Sequence, residues 1–326
     1  MGEESVKTLR VAVIGAGFWG KNHIRVFHEL PNAELVAVCD IDEERARSVA
    51  ERYGIEYYTN SKELHRKVDV DAVTICTWST TLARETMAAL EAGRHVLVEK
   101  PMASNMDDAV EAVKLAEKED LLLTVGFIER FNPGVQLANE LVRSGDVGCV
   151  VSLTARRVSR WPERIGDVGV VKDTAIHDID ISRFIFNRDP SAVHAVAGKI
   201  LHKRFEDYAH ILLNFEDGKV AFIEANWLTP YKVRRLRITG SEAIVTVDYI
   251  TQEVTIDTQG QTTKPRRKWE EPLKKELQHF VDCILNNKKP IVTGLDGLKA
   301  LKIAEAALTS ATKGRTVELK WENTPQ

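Results

Sequence analysis

A glycine-rich turn near the N-terminus constrains the fold of this chain more than any other feature. The apolar run at 9–14 ends in the sequence GAGFWG at residues 15–20, and a helical stretch follows. Glycines permit a tight turn and a close approach of the backbone to a pyrophosphate, and the N-terminus of the next helix offers N–H groups and a partial positive charge. The pattern therefore predicts the start of a doubly wound, dinucleotide-binding sheet.

An aspartate supports this interpretation. Asp40 ends the second apolar run and stands 20 residues after Gly20, where a carboxylate accepts hydrogen bonds from the adenosine ribose hydroxyls. It repels a 2′-phosphate, so NAD is favoured over NADP, although the nearby Arg45 keeps NADP open as an alternative. The cofactor-binding residues predicted from these two features are Gly15, Gly17, Phe18, Trp19, Gly20 and Asp40.

The rest of the chain divides into two patterns. Apolar runs alternate with helical periodicity up to residue 126, which predicts an α/β domain over 1–126 with a doubly wound parallel sheet. Residues 127–326 are expected to form an α+β domain with a mainly antiparallel sheet. Its predicted strands lie at 148–158, 193–201, 208–215, 219–227, 234–239, 243–249 and 252–257. Its predicted helices lie at 133–143, 174–186, 272–286 and 294–312.

Composition excludes several classes of protein. The net charge is −3, from 45 basic and 48 acidic residues, which gives no electrostatic footprint for nucleic acid or an anionic membrane. The sequence lacks an apolar run of the ~18 residues that span a bilayer and lacks a signal-peptide pattern at its start, so a cytoplasmic location is expected. The four cysteines are far apart, which favours buried free thiols and predicts no metal site.

The sequence Glu99-Lys100-Pro101 follows the predicted strand at 95–98. Ligands of open α/β sheets bind at the carboxyl ends of the strands, so Lys100 is a candidate to face the nicotinamide. The alternative is a solvated lysine before a turn proline.

A second candidate site lies at residues 173–180, DTAIHDID. On a helix, Asp173, His177 and Asp180 share one face. A histidine flanked by carboxylates suits a general base near neutral pH. Two alternatives stay open: Asp173 caps the helix, or His177 and Asp180 form a surface pair or ligate a metal.

Together, GxGxxG with its acidic residue, Glu-Lys-Pro and the Asp-x-x-x-His helix resemble the Gfo/Idh/MocA oxidoreductase family over nearly the whole chain. The resemblance implies a Rossmann domain, an open-faced antiparallel sheet for substrate binding and oligomerisation, and oxidation or reduction of a sugar or cyclitol hydroxyl with NAD(P). It implies that Lys100, Asp173 and His177 are catalytic and that Thr77, Glu99 and Lys100 adjoin the cofactor. One departure is the loop after the fourth strand, where Trp78 follows Thr77 and Leu82 replaces a histidine of many relatives.

Three further stretches, at 126–133, 155–158 and 226–232, resemble the branch of the family that contains UDP-N-acetylglucosamine 3-dehydrogenases. Arginines near the Asp173 helix could grip a diphosphate, and Trp161, Trp227 or Tyr231 could stack on uracil. The basic residues concerned are Arg156, Arg157, Arg160, Arg164, Lys232, Arg234, Arg235 and Arg237. The predicted substrate-binding residues are Arg157, Arg160, Asn132 and Tyr231.

The favoured function is therefore hydride transfer from a hydroxyl of a UDP-sugar to NAD. Lys100 would stabilise the developing charge on oxygen, His177 would take the proton, and Asp173 would orient the substrate or tune the lysine, with Lys100 as an alternative proton acceptor. A dehydrogenase of a free sugar or cyclitol is the main alternative, and a non-catalytic NAD-binding regulator is another. Apolar residues on both faces of 220–227 predict a homodimer or homotetramer.

Overall fold

The structure is a computed structural model that describes residues 7–161 and 167–321. The chain divides into two compact units, which are described separately. The first comprises Met1–Ile128 and Leu273–Leu298, and the second comprises Glu129–Pro272 and Lys299–Gln326.

The first unit is built on a parallel sheet of six strands in the order β3-β2-β1-β4-β5-β6. This is the strand order of a Rossmann domain, and it confirms the fold class predicted for this part of the chain. The strands are β1 (Leu9–Ile14), β2 (Ala33–Cys39), β3 (Glu56–Tyr58), β4 (Ala72–Ile75), β5 (His95–Val98) and β6 (Leu123–Val125). The most central strands, such as β1 and β4, are almost wholly apolar because helices cover both faces.

The helices of this unit begin at residues suited to that position. Asp42 accepts the N–H of Arg45 at 3.0 Å and caps α2, and Asn105 caps α5 in the same way. The helices are α1 (Phe18–Glu29), α2 (Glu43–Tyr53), α3 (Ser61–Lys67), α4 (Leu82–Glu91), α5 (Met106–Lys118) and α8 (Pro272–Leu285).

Helix α8 belongs to the first unit although it lies late in the sequence. Its apolar stripe of Leu273, Leu277, Phe280 and Val281 joins the core cluster that contains residues of β1 and α1. The sequence-based division placed everything after 126 in one domain. The structure differs at Leu273–Leu298, because this amphipathic helix buries its stripe against the Rossmann core.

The second unit contains a sheet of nine strands in the order β14-β13-β12-β11-β7-β10-β9-β8-β15. Neighbouring strands are antiparallel except for β7 and β10, which are parallel. The strands are β7 (Val150–Arg160), β8 (Ala192–Gly198), β9 (Tyr208–Asn214), β10 (Val220–Asn226), β11 (Leu228–Gly240), β12 (Ala243–Asp248), β13 (Val254–Thr258), β14 (Gln261–Thr263) and β15 (Val317–Glu318). The predicted mainly antiparallel sheet is confirmed.

The two faces of this sheet differ in burial. On β10, Ala221, Ile223 and Ala225 are buried, whereas Phe222 on the opposite face is 48% exposed. The helices of this unit are α6 (Pro133–Ser144), α7 (Ile176–Phe186) and the larger part of α9 (Gly294–Lys313). Within the described ranges, every helix is too short or too polar to cross a bilayer.

Two elements of the first unit escaped the sequence patterns. Strand β3 has three residues, and α3 has seven. Both are too short to show a hydrophobic period. Strand β3 forms because it extends the edge of the sheet beside β2, which is a tertiary contact. Helix α3 begins at Asn60, whose side chain accepts the N–H of Lys62.

Candidate active site

The glycine turn of the first unit leaves room for a cofactor at its centre. Gly15 has φ of +94°, and a Cβ there would lie 2.7 Å from the carbonyl of Cys76. A Cβ on Gly20 would lie 1.7 Å from the oxygen of Gly15. A Cβ on Gly17, by contrast, would meet no described atom within 4 Å. Two glycines are therefore required by the fold, and the third faces open space at the start of α1, as a pyrophosphate site requires.

Asp40 adjoins the glycine turn at the carboxyl end of β2. Its Oδ2 accepts the N–H of Ala16 at 2.7 Å, and its Oδ1 accepts the N–H of Asp42 at 2.9 Å. These bonds hold the carboxylate beside the turn. The placement fits the ribose-binding role that the sequence assigned to Asp40.

Aromatic and polar side chains surround the turn. Phe18 is 66% exposed at the first position of α1 and meets Trp19 edge to face. The hydroxyl of Thr77 accepts that of Thr81 at 2.9 Å. Trp78 is 55% exposed, whereas Leu82 is buried at the start of α4. This loop therefore presents the indole ring of Trp78 on its exposed side.

Glu99 and Lys100 are both buried at the end of β5, and the Lys100–Pro101 peptide bond is cis. Glu99 Oε2 accepts the N–H of Lys100 at 3.2 Å, and Glu99 Oε1 lies 3.2 Å from Nε2 of the buried His23. A Cβ on Gly126 would lie 3.0 Å from this carboxylate. Glu99 therefore fixes the backbone of Lys100, and the solvated-lysine alternative does not fit. The sequence analysis did not identify His23. Its signal in the sequence was a histidine three residues after Gly20, among the apolar residues of the buried side of α1.

In the second unit, a chain of hydrogen bonds holds Asp173. Trp227 Nε1–H donates to the hydroxyl of Thr174 at 2.9 Å, and that hydroxyl donates to Asp173 Oδ2 at 3.0 Å. Trp227 is 2% exposed and Asp173 is 7% exposed. A buried carboxylate with a fixed rotamer suits a positioning or catalytic role.

The helix around Asp173 is irregular. Residues Val171–Ala175 form a π-helical turn, in which the N–H of Ile176 bonds to the oxygen of Val171, and such turns are frequent at functional sites. The wider turn changes the phase between Asp173 and His177. The sequence placed Asp180 on their face, but Asp180 is fully buried and takes two bonds from Arg130, at 2.6 and 2.7 Å. Asp180 therefore belongs to the interior and not to the predicted polar stripe.

Arg157 lies inside the second unit. Its guanidinium binds Glu129 at 2.8 Å and Asp178 at 3.0 Å, and it stacks 4.6 Å above the ring of Tyr249. The side chain is 3% exposed. Burial by itself would lower the pKa of Arg157. The charges of Asp178 and Glu129 outweigh this effect and raise the pKa above its ordinary value. The sequence predicted a substrate contact for Arg157, and the structure assigns its donors to internal carboxylates.

Asn132 also has internal partners. It is 1% exposed, its Nδ2 donates to the oxygen of Tyr249 at 2.9 Å, and its Oδ1 caps α6 by accepting the N–H of Gly134 at 3.0 Å. These bonds explain the residue structurally. Tyr231, by contrast, is 71% exposed on β11.

The predicted arginine cluster is split between the two faces of the sheet. Arg157 and Arg234 are paired across β7 and β11, as are their neighbours Arg156 and Arg235. Arg156 is half exposed and pairs with Glu224 at 2.9 Å on the face opposite Arg157. Arg160 is exposed at the end of β7, and Arg164 lies outside the described residues.

Arg234 lies on the same face as Arg157. Its guanidinium is 3.7 Å from Glu129, and the side chain is 37% exposed. Burial and the charge of Arg157 lower the pKa of Arg234, while Glu129, Asp178 and Asp173 oppose that shift. Arg234 is therefore a partly exposed cation within the electrostatic reach of Asp173.

Aromatic rings extend from the Trp227 end of this hydrogen-bond chain. Trp161 meets Trp227 edge to face at 4.9 Å and stacks on His202 at 4.8 Å, and His202 stacks on Phe205. The loop that carries His202 is held by Asp207, a buried carboxylate that accepts the N–H groups of Ile200, Leu201 and His202. Trp161, His202 and Phe205 thus form a continuous aromatic surface, here called the aromatic wall, and Asp207 holds the loop that carries His202 and Phe205.

The four cysteines differ in their exposure. Cys39 and Cys283 are buried, Cys76 is partly buried, and Cys149 is exposed, which differs from the expectation of buried thiols. Burial raises the pKa of Cys39 to about 12, which disfavours a reactive thiolate. The described residues contain no group of three or more His, Cys, Asp and Glu side chains that could hold a metal.

The strand order of the first unit, its glycine turn, and the Asp40 carboxylate beside that turn define an NAD-binding oxidoreductase. Comparison with known families agrees: residues 9–127 match the NAD-binding Rossmann fold of the Gfo/Idh/MocA oxidoreductase family, and residues 140–319 match its C-terminal alpha/beta domain. The chain belongs to this family, which confirms the resemblance and the cofactor predicted from the sequence.

Two relatives with named activities act on different classes of substrate. The myo-inositol 2-dehydrogenase of Thermotoga maritima is 28% identical over 330 residues, covering 96% of this chain and 99% of that protein. The UDP-N-acetylglucosamine 3-dehydrogenase of Acidithiobacillus ferrooxidans is 26% identical, covering 91% of this chain and 95% of that protein. A structure of UDP-N-acetylglucosamine 3-dehydrogenase from the latter organism is similar with a TM-score of 0.86 and 25% identity, over 94% of this chain and 98% of that one.

Proposed function

We propose that this protein oxidises a ring hydroxyl of a UDP-sugar with NAD. The observation that carries the proposal is Arg234, a partly exposed cation on the side of the sheet that carries Asp173. A diphosphate requires such a donor, whereas a neutral cyclitol does not.

The proposed chemistry assigns one role to each of three residues. Bound NAD would accept the hydride. Lys100, whose backbone Glu99 fixes, donates a hydrogen bond to the reacting oxygen and stabilises its developing negative charge. His177 accepts the hydroxyl proton, and Asp173, held through Thr174, orients the sugar.

The first test of these roles is substitution at Lys100 and His177. Lys100→Ala and His177→Ala should each lower turnover by roughly 10²-fold or more, with NAD affinity nearly unchanged. Normal turnover in either variant would remove that residue from the mechanism. If both variants lose activity but still bind the sugar normally, the roles of Lys100 and His177 are supported. An active wild type would exclude a non-catalytic regulator.

The aromatic wall supports a nucleotide substrate. Trp161, His202 and Phe205 are partly exposed, and Trp161 contacts Trp227, which bonds to Thr174 beside Asp173. A uracil ring stacks favourably on such a surface. The exposed Tyr231 and Arg160 are further candidates for substrate contact, whereas Arg157 and Asn132 are assigned to the interior.

The alternative substrate is a free sugar or cyclitol. The burial of Arg157 in internal ion pairs favours it, because this removes one predicted phosphate ligand. The similarity to a myo-inositol 2-dehydrogenase points the same way.

A substrate panel separates the two possibilities. UDP-N-acetylglucosamine, N-acetylglucosamine and myo-inositol would each be incubated with NAD, and NADH formation would be followed by absorbance. We expect activity with the UDP-sugar and a loss of roughly 10- to 100-fold in kcat/KM in Arg234→Ala. Arg235→Ala is the matched control, because Arg235 neighbours Arg234 but faces the other side of the sheet. Equal efficiency on UDP-N-acetylglucosamine and N-acetylglucosamine, or equal effects of the two variants, would favour the free sugar.

We also propose that the protein is a homo-oligomer that pairs through the exposed face of its nine-stranded sheet. Phe222 and Val196 lie on this face and are 48% and 55% exposed. Exposed apolar side chains clustered on one sheet face are typical of an interface.

A further inference from the structure

The π-helical turn that carries Asp173 is held at its start by a residue of the loop between β8 and β9. The N–H of Val170 donates to the backbone oxygen of Glu206 at 3.0 Å. The N–H of Val171 donates to Glu206 Oε1, also at 3.0 Å. The first N–H groups of a helix have no acceptor within the helix, so they need partners of this kind. Glu206 therefore anchors the chain two residues before Asp173.

Gly169 provides the space that the Glu206 carboxylate occupies. A Cβ on Gly169 would lie 2.1 Å from both carboxylate oxygens of Glu206 and 2.2 Å from its Cδ. The φ angle of Gly169 lies outside the left-handed region, so the position of Glu206 and not the backbone requires glycine here. A side chain at position 169 would push the carboxylate away from the N–H of Val171.

The surroundings of Glu206 explain why its contact with the turn matters. The residue is partly buried, and burial raises the pKa of Glu206, although the N–H of Val171 and the charges of Lys172 and His202 oppose this shift. Lys172 itself is paired with Glu305 of α9 at 2.5 Å. A carboxylate that is removed from water is costly unless it accepts hydrogen bonds, and the turn supplies one.

The turn at Val171–Ala175 depends on such contacts from outside. A π-helical turn is rare, and unfavourable backbone geometry persists where the surrounding structure holds it. Glu206 holds the start of this turn, and Trp227 holds its later part through Thr174. Asp173 lies between these two points of attachment.

We propose that Glu206 is a positioning residue for the reaction, which fixes the π-helical turn so that Asp173 meets the sugar in one orientation. The inference rests on the proposed roles of Asp173 and His177, but it holds for a UDP-sugar and for a free sugar alike. Glu206 directly follows Phe205 in sequence. The loop at 199–207 therefore contributes both part of the aromatic wall and the anchor of the turn.

The first experiment removes the carboxylate and measures steady-state kinetics with the best substrate of the panel. In Glu206→Ala, kcat should fall at least about tenfold while the KM for the sugar changes less than about threefold, because a small displacement of a reacting group is costly. Glu206→Gln retains an oxygen acceptor and should restore most of the activity. Glu216→Ala is the control, because Glu216 is an exposed glutamate in the turn between β9 and β10.

The second experiment displaces the carboxylate without removing it. Gly169→Ala should lower kcat to about the same extent as Glu206→Ala. The double variant Gly169→Ala/Glu206→Ala should be no slower than the slower single variant, since both changes break the same contact. Normal kcat in Glu206→Ala, or defects that multiply in the double variant, would overturn the inference.

Hydrogen exchange of the full chain gives a measurement that needs no substrate. The amides of residues 169–175 should exchange faster in Glu206→Ala than in the wild type, and at the wild-type rate in Glu216→Ala. Unchanged exchange in Glu206→Ala would show that the carboxylate does not hold the turn, and the inference would be wrong.

The same variants distinguish a failure of this inference from a failure of the proposed function. If Lys100→Ala and His177→Ala are both fully active, the proposed function fails, and the positioning role fails with it even where exchange is faster. If His177→Ala is inactive but Glu206→Ala combines faster exchange with normal turnover, the proposed function stands and only the role of Glu206 is wrong.

Discussion

Trp227 donates its indole Nε1–H to the hydroxyl of Thr174 at 2.9 Å, directly beside Asp173. The same hydroxyl donates in turn to Asp173 Oδ2 at 3.0 Å, so it restricts the orientation of the Asp173 carboxylate. A buried tryptophan between β10 and β11 therefore orients a buried carboxylate on the π-helical turn. The link explains why an indole, with its single N–H donor, occupies position 227.

Removing the bridging hydroxyl should impair catalysis more than folding. Thr174→Val keeps the side-chain shape but breaks both hydrogen bonds, and each is worth about 1 kcal/mol. We expect kcat to fall roughly 5- to 30-fold with NAD affinity unchanged, and Thr174→Ser to restore most of the activity. Steady-state kinetics with the best substrate of the panel would measure this. Equal activity of Thr174→Val and Thr174→Ser would show that the hydroxyl does not position Asp173.

The buried position of Arg157 predicts a large effect on stability. Arg157→Met leaves Glu129 and Asp178 without their cation in the interior, which should lower the free energy of unfolding by about 3–5 kcal/mol. Arg156→Met is the matched control, since its ion pair with Glu224 is half exposed and such pairs contribute at most about 1 kcal/mol. Urea unfolding of both variants decides the matter. Similar losses would mean that the internal pairing of Arg157 contributes little.

Protonation of His95 should destabilise the first unit in acid. The N–H of Leu122 donates to His95 Nδ1 at 3.0 Å, and burial lowers the pKa of His95 although Asp71 and Asp120 oppose the shift. Because the unfolded chain then binds the proton first, this contribution is complete above about pH 6.5 and is lost as the pH falls through the lowered pKa of the folded state.

Urea unfolding at pH 7.5 and pH 5.0 would measure this effect. His95→Asn retains an acceptor without a titrating group, so its free energy of unfolding should fall less between the two pH values than that of the wild type. His28→Asn is the control, because His28 is exposed. The same acid sensitivity in wild type and His95→Asn would exclude His95 as a source of it.

Oligomerisation through the open sheet predicts an effect of charge at its centre. Phe222→Asp would place a carboxylate in the proposed interface, where its burial is costly, and should halve the mass measured by light scattering. Ile291→Asp, at a residue that is 41% exposed in the first unit, should leave the mass unchanged. A wild-type protein that is monomeric at all concentrations would contradict the proposal directly.

The sequence by itself determined the Rossmann unit and its cofactor site, because both depend on local patterns. The features that define this site all lie within about 30 residues of chain. They are the GAGFWG turn, the strand before it and Asp40 at the end of β2. Short-range constraints of this kind, such as the Cβ that Gly15 and Gly20 cannot carry, leave a direct trace in residue type. Lys100 could be located for the same reason, since it lies two residues after the end of β5.

Tertiary structure alone decided which polar groups belong to the site and which belong to the interior. Arg157 and Arg156 are indistinguishable by type, but the register of β7 turns one toward Asp178 and the other toward Glu224. Arg130 holds Asp180 in the interior, away from the site that the sequence had assigned to it. Helix α8 packs against the core of the first unit, although it follows the second unit's sheet in the sequence. In each case the deciding contact joins residues far apart in sequence, and a charged group removed from water takes whichever opposite charge the fold brings to it.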